Sequence, residues 1–263
     1  VHSVEIFSLF AAALAAGAIN ALAGGGTLIT FPVLILFGVP PVIANATSTL
    51  SLVAGISGSL IGFRKLIAEI RPWLPAFLPA SLIGGWIGSF LLTHGNSETF
   101  TRLVPFLILF ATLLFMVQGL VRKIVARRVA RELAAGHDAP PTGGKAMALA
   151  AFFQFLLSIY GGYFGAGIGI LMLATFGILG FSDIHRMNAL KNVLGGLVNV
   201  VAAVWFTANG LIDWPRMAVM TLGATAGYYL GATYSQRLPQ SLARTLITGI
   251  GLVITAVMFW KLR

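Results

Sequence analysis

The chain contains no cysteine. Disulfides, thiolate metal sites and cysteine nucleophiles are therefore excluded, and nothing follows about redox compartment. Charge is scarce as well: Asp, Glu, Lys and Arg make up 9% of the 263 residues, against roughly 25% in a soluble domain. The acidic residues are Glu5, Glu69, Glu98, Glu132, Asp138, Asp183 and Asp213, and none lies in the middle of an apolar stretch. Paired carboxylates for acid–base catalysis are thus missing. So is an intramembrane carboxylate of the kind that couples transport to cations. His2, His94, His137 and His185 fall near segment ends or in loops, without metal-ligand spacing. This composition argues against an enzyme and implies no cofactor.

What the chain has in quantity is hydrocarbon. It is 58% hydrophobic, with a mean hydropathy of +0.93. A membrane-spanning helix needs about 20 mainly apolar residues. Ten apolar segments follow one another, at roughly 4–23, 27–38, 43–63, 73–93, 100–121, 146–162, 166–180, 187–208, 215–235 and 241–260. An all-α polytopic membrane protein is expected. The 27–38 and 166–180 segments are too short to cross, and read as half-helices or re-entrant pieces. The first segment reads as part of the membrane domain and not as a secretory signal. Its only early charge is Glu5, and it runs straight into a glycine break. The net charge of +10 sits mostly between membrane segments. There it sets orientation and touches anionic lipid, and no soluble part is present to bind nucleic acid.

Two of the apolar stretches are interrupted in the same way. The first reads AGGGTLITFPVLILFG from Ala23, followed by Asn45-Ala46-Thr47-Ser48-Thr49. The second reads FGAGIGILMLATFGILG from Phe164, followed by Asn188-Ala189-Leu190-Lys191-Asn192. Irregular backbone at membrane depth is tolerated only where protein or a water-filled cavity satisfies it. Matching breaks in two halves point to a transporter's binding site.

Further matches extend the correspondence. Gly24 pairs with Gly165, Asn45 with Asn188, Trp73 with Trp214, Gly84 with Gly227 and Arg102 with Arg244, at offsets of 141 to 143. Residues 1–121 and 146–263 therefore read as two homologous membrane repeats, joined by a basic loop at 122–145. That loop carries Arg122, Lys123, Arg127, Arg128, Arg131 and Lys145 and ends in Pro140-Pro141-Thr142-Gly143-Gly144. The positive-inside rule places it in the cytoplasm; contact with lipid phosphate is the alternative. Elsewhere, positive charge lies in the 64–72 loop of the first half and in the 237–244 loop of the second. Those loops are not equivalent, which fits inverted repeats with broken helices meeting near the midplane. Lys261 and Arg263 would then face outward, against the rule. The Gly84-xxx-Gly88 and Gly227-xxx-Gly231 spacings permit close helix approach, within one subunit or in a homodimer.

The polar residues around the breaks are the candidate substrate-binding set. Asn20, Gly25, Gly26, Thr27, Asn45, Thr47, Ser48 and Thr49 come from the first half, and Gly165, Gly167, Asn188, Lys191 and Asn192 from the second. Half-helices starting after Gly26 and Gly167 would aim N–H groups and positive dipole ends at a common point. Asn, Ser and Thr add neutral donors, and Lys191 or Arg186 adds charge. An oxyanion leaving water needs such replacements for its hydration shell. The same glycines could serve tight helix crossing, and the Asn45–Thr49 run could cap a helix. Lys191 could instead snorkel or pair with Asp183. Asp183 and His185 are the available proton carriers.

At these residues the chain resembles the TauE/SafE family of sulfite-exporter-like membrane proteins. The motifs are NALAGGGTLITFPVLILFGVPPVIANATSTLSL from Asn20 and GGYFGAGIGILMLATFGILGFSDIHRMNALKNVLGGLVNVVAA from Gly161. The resemblance spans the chain outside 122–145. It implies a multi-pass cell inner-membrane secondary transporter for small sulfur oxyanions or organosulfonates. The expected function is export of such an anion by alternating access. A passive anion channel is the alternative, and a membrane enzyme a weaker one. The inside-negative potential favours anion export by about 2.3 kcal/mol per charge per 100 mV.

Overall fold

Prolines, polar caps and glycines mark several of the helix ends in this chain. A computed structural model describes residues 3–22, 25–56, 70–134, 144–179, 181, 184–234 and 240–261. Among them are ten helices: α1 Ser3–Leu22, α2 Thr27–Leu36, α3 Pro41–Ile56, α4 Leu74–His94, α5 Ser97–Ala134, α6 Gly144–Tyr163, α7 Ile168–Ile178, α8 Ile184–Ala208, α9 Trp214–Tyr234 and α10 Gln240–Lys261. Pro41 opens α3, where a missing N–H costs nothing. The Asn96 side-chain oxygen accepts the Glu98 N–H at 2.8 Å and caps α5. Asp213 does the same for α9 through the Arg216 N–H at 3.2 Å. Helix α2 closes with Val39 N–H donating to the Leu34 carbonyl at 3.1 Å, just before Pro40 and Pro41.

By length and composition, four described helical stretches suffice to cross a membrane: Ser3–Ala21, Leu74–His94, Ser97–Arg128 and Arg186–Ala208. The chain is an all-α, multi-span membrane protein. At 1.5 Å per residue, the 10-residue α2 and 11-residue α7 reach only about 15–17 Å, half of a hydrocarbon core about 30 Å thick. The sequence expectation of two half-helices holds.

The segment from 122 differs from the loop expected there. Helix α5 continues unbroken to Ala134. No glycine or proline interrupts residues 122–134, and Arg, Lys, Ala and Leu are good helix formers. Val125 is buried against Gly177 of α7, where an added Cβ would lie 2.7 Å from a Val125 methyl. Residues 135–143, Asp183, Arg237 and the side chains of His185 and Arg244 lie outside the described residues.

Small residues carry the helix contacts, as expected where lipid removes the hydrophobic drive between helices. Helix α1 packs along α9, and α6 along α4. A Cβ on Gly227 would meet the Leu14 carbonyl at 2.1 Å, and one on Gly88 the Ile159 carbonyl at 2.0 Å. Both Gly-xxx-Gly spacings are therefore used inside the chain and not between copies. The other face of α4 presents Ile83, Trp86, Phe90 and Leu91 outward, as a lipid-facing helix should. Replacing Gly88 with valine drives a side chain into backbone that cannot yield. Loss of monodisperse protein from detergent extracts is expected, with Ile83→Val as the silent control.

Candidate functional site

The two breaks are brought together. Gly25, at φ +103°, turns the chain into α2, a conformation that glycine alone adopts readily. The Gly26 N–H donates to Asn20 Oδ1 at 2.7 Å, and Asn20 Nδ2 donates to the Tyr228 hydroxyl at 2.9 Å. Asn20 thus has both ends of its amide committed and holds the break in place. Thr30 Oγ1 reaches the Gly26 carbonyl at 3.1 Å and Ser48 Oγ at 2.6 Å. At the second break, Gly165 and Gly167 have φ of +78° and +80°. The Tyr160 hydroxyl donates to the Ala166 carbonyl at 2.6 Å.

Helix α5 runs over both breaks. The Phe115 ring occupies the space a Gly25 Cβ would need, at 2.0 Å, and a Leu114 methyl lies 3.2 Å from a Gly167 Cβ position. Adjacent residues of one helix thus cover the two interruptions. Between them, Phe31 of α2 meets Phe164 edge-on with ring centroids 5.4 Å apart. Phe31, Phe115 and Phe164 are all buried. In this structure aromatic rings fill the junction where the breaks abut. Hydroxyl and amide groups lie around that plug and not within it. Bulky apolar residues flank both glycine motifs in the sequence, and linear order does not show that they converge.

The Asn45–Thr49 run is wholly buried on α3. Asn45 Nδ2 donates to the Tyr163 carbonyl at 3.3 Å, tying this run to the second break. That bond fixes the amide orientation and leaves Asn45 Oδ1 buried without a partner among the described residues. Thr47 Oγ1 accepts the Asp213 N–H at 3.0 Å, and Thr49 Oγ1 donates to the Asn45 carbonyl at 2.8 Å. Thr27 is half-buried at the start of α2. The run begins four residues into α3, beyond the capping position, so it does not serve to cap that helix.

In the second half the placements diverge. Asn188 is half-buried, whereas Asn192 is exposed on α8. The buried stripe of that helix runs through Met187, Leu190, Leu194 and Val198. The i, i+4, i+11 face through Asn188, Asn192 and Asn199 is offset from this stripe. Lys191 lays its stem across the first turn of α7, its Cδ 3.3 Å from a Gly169 Cβ position. With Gln118, Val121 and Arg122 of α5 and Ile170 and Leu173 of α7, it lines a narrow cleft of about 10 Å³, room for one water.

One feature escaped the sequence reading. Glu5 of α1, an early charge in an apolar helix, is buried and accepts from Arg216 Nε at 2.7 Å. Arg216 Nη1 also pairs with Asp213 Oδ2. Charges that cancel in a loop by sequence thus form a triad joining α1 and α9 to Thr47 of the polar run. The i, i+3 spacing of Asp213 and Arg216 was the available signal; their distance in sequence from Glu5 hid the rest.

Comparison with known proteins agrees with this architecture. The chain is similar to a probable membrane transporter protein of Haemophilus influenzae, 29% identical over 96% of this chain and 93% of the relative. It is similar to the probable membrane transporter protein YfcA of Escherichia coli, at 26% identity over 97% of this chain and 88% of that one. The probable membrane transporter protein YunE of Bacillus subtilis is 23% identical over 86% of each chain. No solved structure matches. The family model described as sulfite exporter TauE/SafE matches residues 9–258, and the chain belongs to that family.

Proposed function

We propose that this protein is a secondary transporter that moves a small sulfur-containing anion, sulfite or an organosulfonate, outward across the inner membrane by alternating access. Family membership makes it a transport protein and not an enzyme. The observation that carries the mechanism is the abutment of the two interrupted helices under one stretch of α5, at Leu114 and Phe115.

The packing supports a reading of 1–121 and 146–263 as related halves. Helix α1 lies on α9 as α6 lies on α4; α3 lies on α9 as α8 lies on α4; α2 meets α10 as α7 meets α5. Helices α3 and α8, and α5 and α10, pair across the two halves. Charge distribution between loops favours an inverted relation, with the basic region after residue 121 in the cytoplasm. A seam between such halves is where transporter substrates bind.

Once the Phe31, Phe115 and Phe164 rings part, the substrate is held where the breaks meet, by Gly25, Gly26 and Thr27, by the Asn45–Thr49 run, and by Gly165, Gly167, Asn188 and Lys191. Asn20 and Tyr228 hold the first break in shape. The buried Asn45 Oδ1, without a partner among the described residues, suits a protonated oxyanion, which brings its own O–H donor. Phe31, Phe115 and Phe164 seal the junction, which favours a closed state of a transporter over an open pore. Opening requires the rings to part. The test is flux in proteoliposomes for sulfite, sulfate, thiosulfate and short sulfonates at two pH values. Saturable flux of at least one sulfur anion is expected. No saturable flux of any overturns the reading, and flux that never saturates favours a channel.

A further inference from the structure

Helix α5 is longer than a bilayer requires, and its excess is basic. Its 38 residues rise about 57 Å, against a hydrocarbon core about 30 Å thick. Exposed apolar side chains run along it from Leu103 through Leu113, Val117 and Leu120 to Ile124. From Leu103 to Ile124 the helix rises about 31 Å, the full thickness of that core. Helix α5 therefore leaves the hydrocarbon at Ile124. The opposite face is packed against the protein, with Ala111, Phe115, Gln118 and Val125 buried.

The lipid-facing stripe continues past Ile124 with a change of chemistry. Arg127 stands seven residues after Leu120, Arg128 four after Ile124, and Arg131 seven after Ile124. Those spacings return to the same side of a helix, and all three arginines are exposed. Arg127 and Arg128 lie about 5–6 Å beyond Ile124 and Arg131 about 10 Å beyond it. The headgroup layer occupies about 5–7 Å on each side of the core. Helical side chains lean toward the helix N-terminus, here toward the hydrocarbon, so Arg131 reaches back into that layer. The start of the span is different: Arg102, next to Leu103, donates to Glu98 at 2.6 Å, and that end presents a neutral pair. Over residues 122–134 five cations stand against one acid, Glu132.

We propose that Arg127, Arg128 and Arg131 form a binding site for the phosphate of an anionic phospholipid, in the leaflet at the basic end of α5. Guanidinium forks pair with phosphate oxygens two at a time, while the acyl chains lie along the apolar stripe that ends at Ile124. Lipid chain and headgroup thus meet one face of one helix. That continuity favours a lipid over a soluble polyanion, because the cations extend a face already turned to the hydrocarbon. The site is independent of what the protein transports. It holds in depth the helix whose Leu114 and Phe115 cover the two breaks.

A chain without cysteine accepts a single reporter. Ile124→Cys carrying bimane, in the full chain in lipid nanodiscs, reads which lipids touch the basic end of α5. Quenching by phosphatidylglycerol with brominated acyl chains should report association about tenfold or more tighter than brominated phosphatidylcholine. Leu103→Cys, in the opposite leaflet, should show no such preference. Replacing Arg127, Arg128 and Arg131 together by glutamine should bring the ratio at Ile124→Cys to about one. Replacing all three by lysine should keep most of it, which separates lost charge from lost structure. High salt should weaken the preference, since headgroup attraction is screened. Equal ratios at the two reporters overturn the proposal, as does an unchanged ratio in the glutamine variant. Insensitivity to salt also overturns it, because acyl chains and not phosphates would then be selected. Displacement of the lipid by glycerol phosphate or a short DNA duplex, at matched ionic strength, overturns it in favour of a soluble polyanion.

Discussion

Replacing Arg216 with methionine is expected to cost about 1–3 kcal/mol. A fully buried ion pair broken from one side costs about 3–5 kcal/mol, but the Arg216 side chain is 24% exposed. The guanidinium bridges Glu5 and Asp213, whose side chains are only 9% and 19% exposed. Two carboxylates and one guanidinium sum to a single negative charge. Without the guanidinium, two negative charges face each other across the contact between α1 and α9, only partly screened by water. Glu5→Gln should be far milder, because Arg216 keeps Asp213 and the remaining pair is neutral. Arg216→Lys should fall between, since one ammonium cannot present the forked donors that serve two carboxylates. Thermal unfolding and size-exclusion of the detergent-solubilised protein measure the order. If Arg216→Met is no less stable than Glu5→Gln, the triad has no structural weight. The Asp213 N–H also holds Thr47, so loosening this end of α9 should disturb the polar run of α3 as well.

Gly25→Ala should reduce transport with little effect on membrane insertion. At φ +103° an L side chain is strained, by about 1–2 kcal/mol where the left-handed region is imposed. The new methyl would also lie 2.0 Å from the Phe115 ring, so the ring or the start of α2 must move. With 1.36 kcal/mol per factor of ten, a loss of about tenfold or more in initial flux is expected. Phe115→Ala in the same chain removes the collision but not the backbone strain, so partial recovery should follow. A Gly25→Ala protein with wild-type flux would show that the geometry of the first break does not matter. Gly26 offers a contrast, since it sits in ordinary right-handed helical conformation. There an added Cβ brings no backbone strain of its own but collides with the Ala16 carbonyl at 2.7 Å.

The sequence by itself determined the membrane class, the approximate positions of the helices and the two half-length segments. Those properties depend on local composition: runs of hydrocarbon fix the spans, and glycine and proline mark where a helix cannot continue. It also marked Asn20, Gly25, Gly26 and the Asn45–Thr49 run as unusual, because polar groups amid apolar residues stand out without knowledge of their neighbours. Only the tertiary structure decided what those groups touch. Asn20 proved to hold a break together through Tyr228, more than two hundred residues away. Asn192 turned outward although it stands beside Lys191, since a helix sends consecutive side chains about 100° apart. The aromatic seal at Phe31, Phe115 and Phe164, the Glu5–Arg216–Asp213 triad and the cleft at Lys191 and Arg122 each join residues from distant helices. Such sites depend on which faces pack together, and close packing through small residues settles that over the whole bundle and not along any one segment.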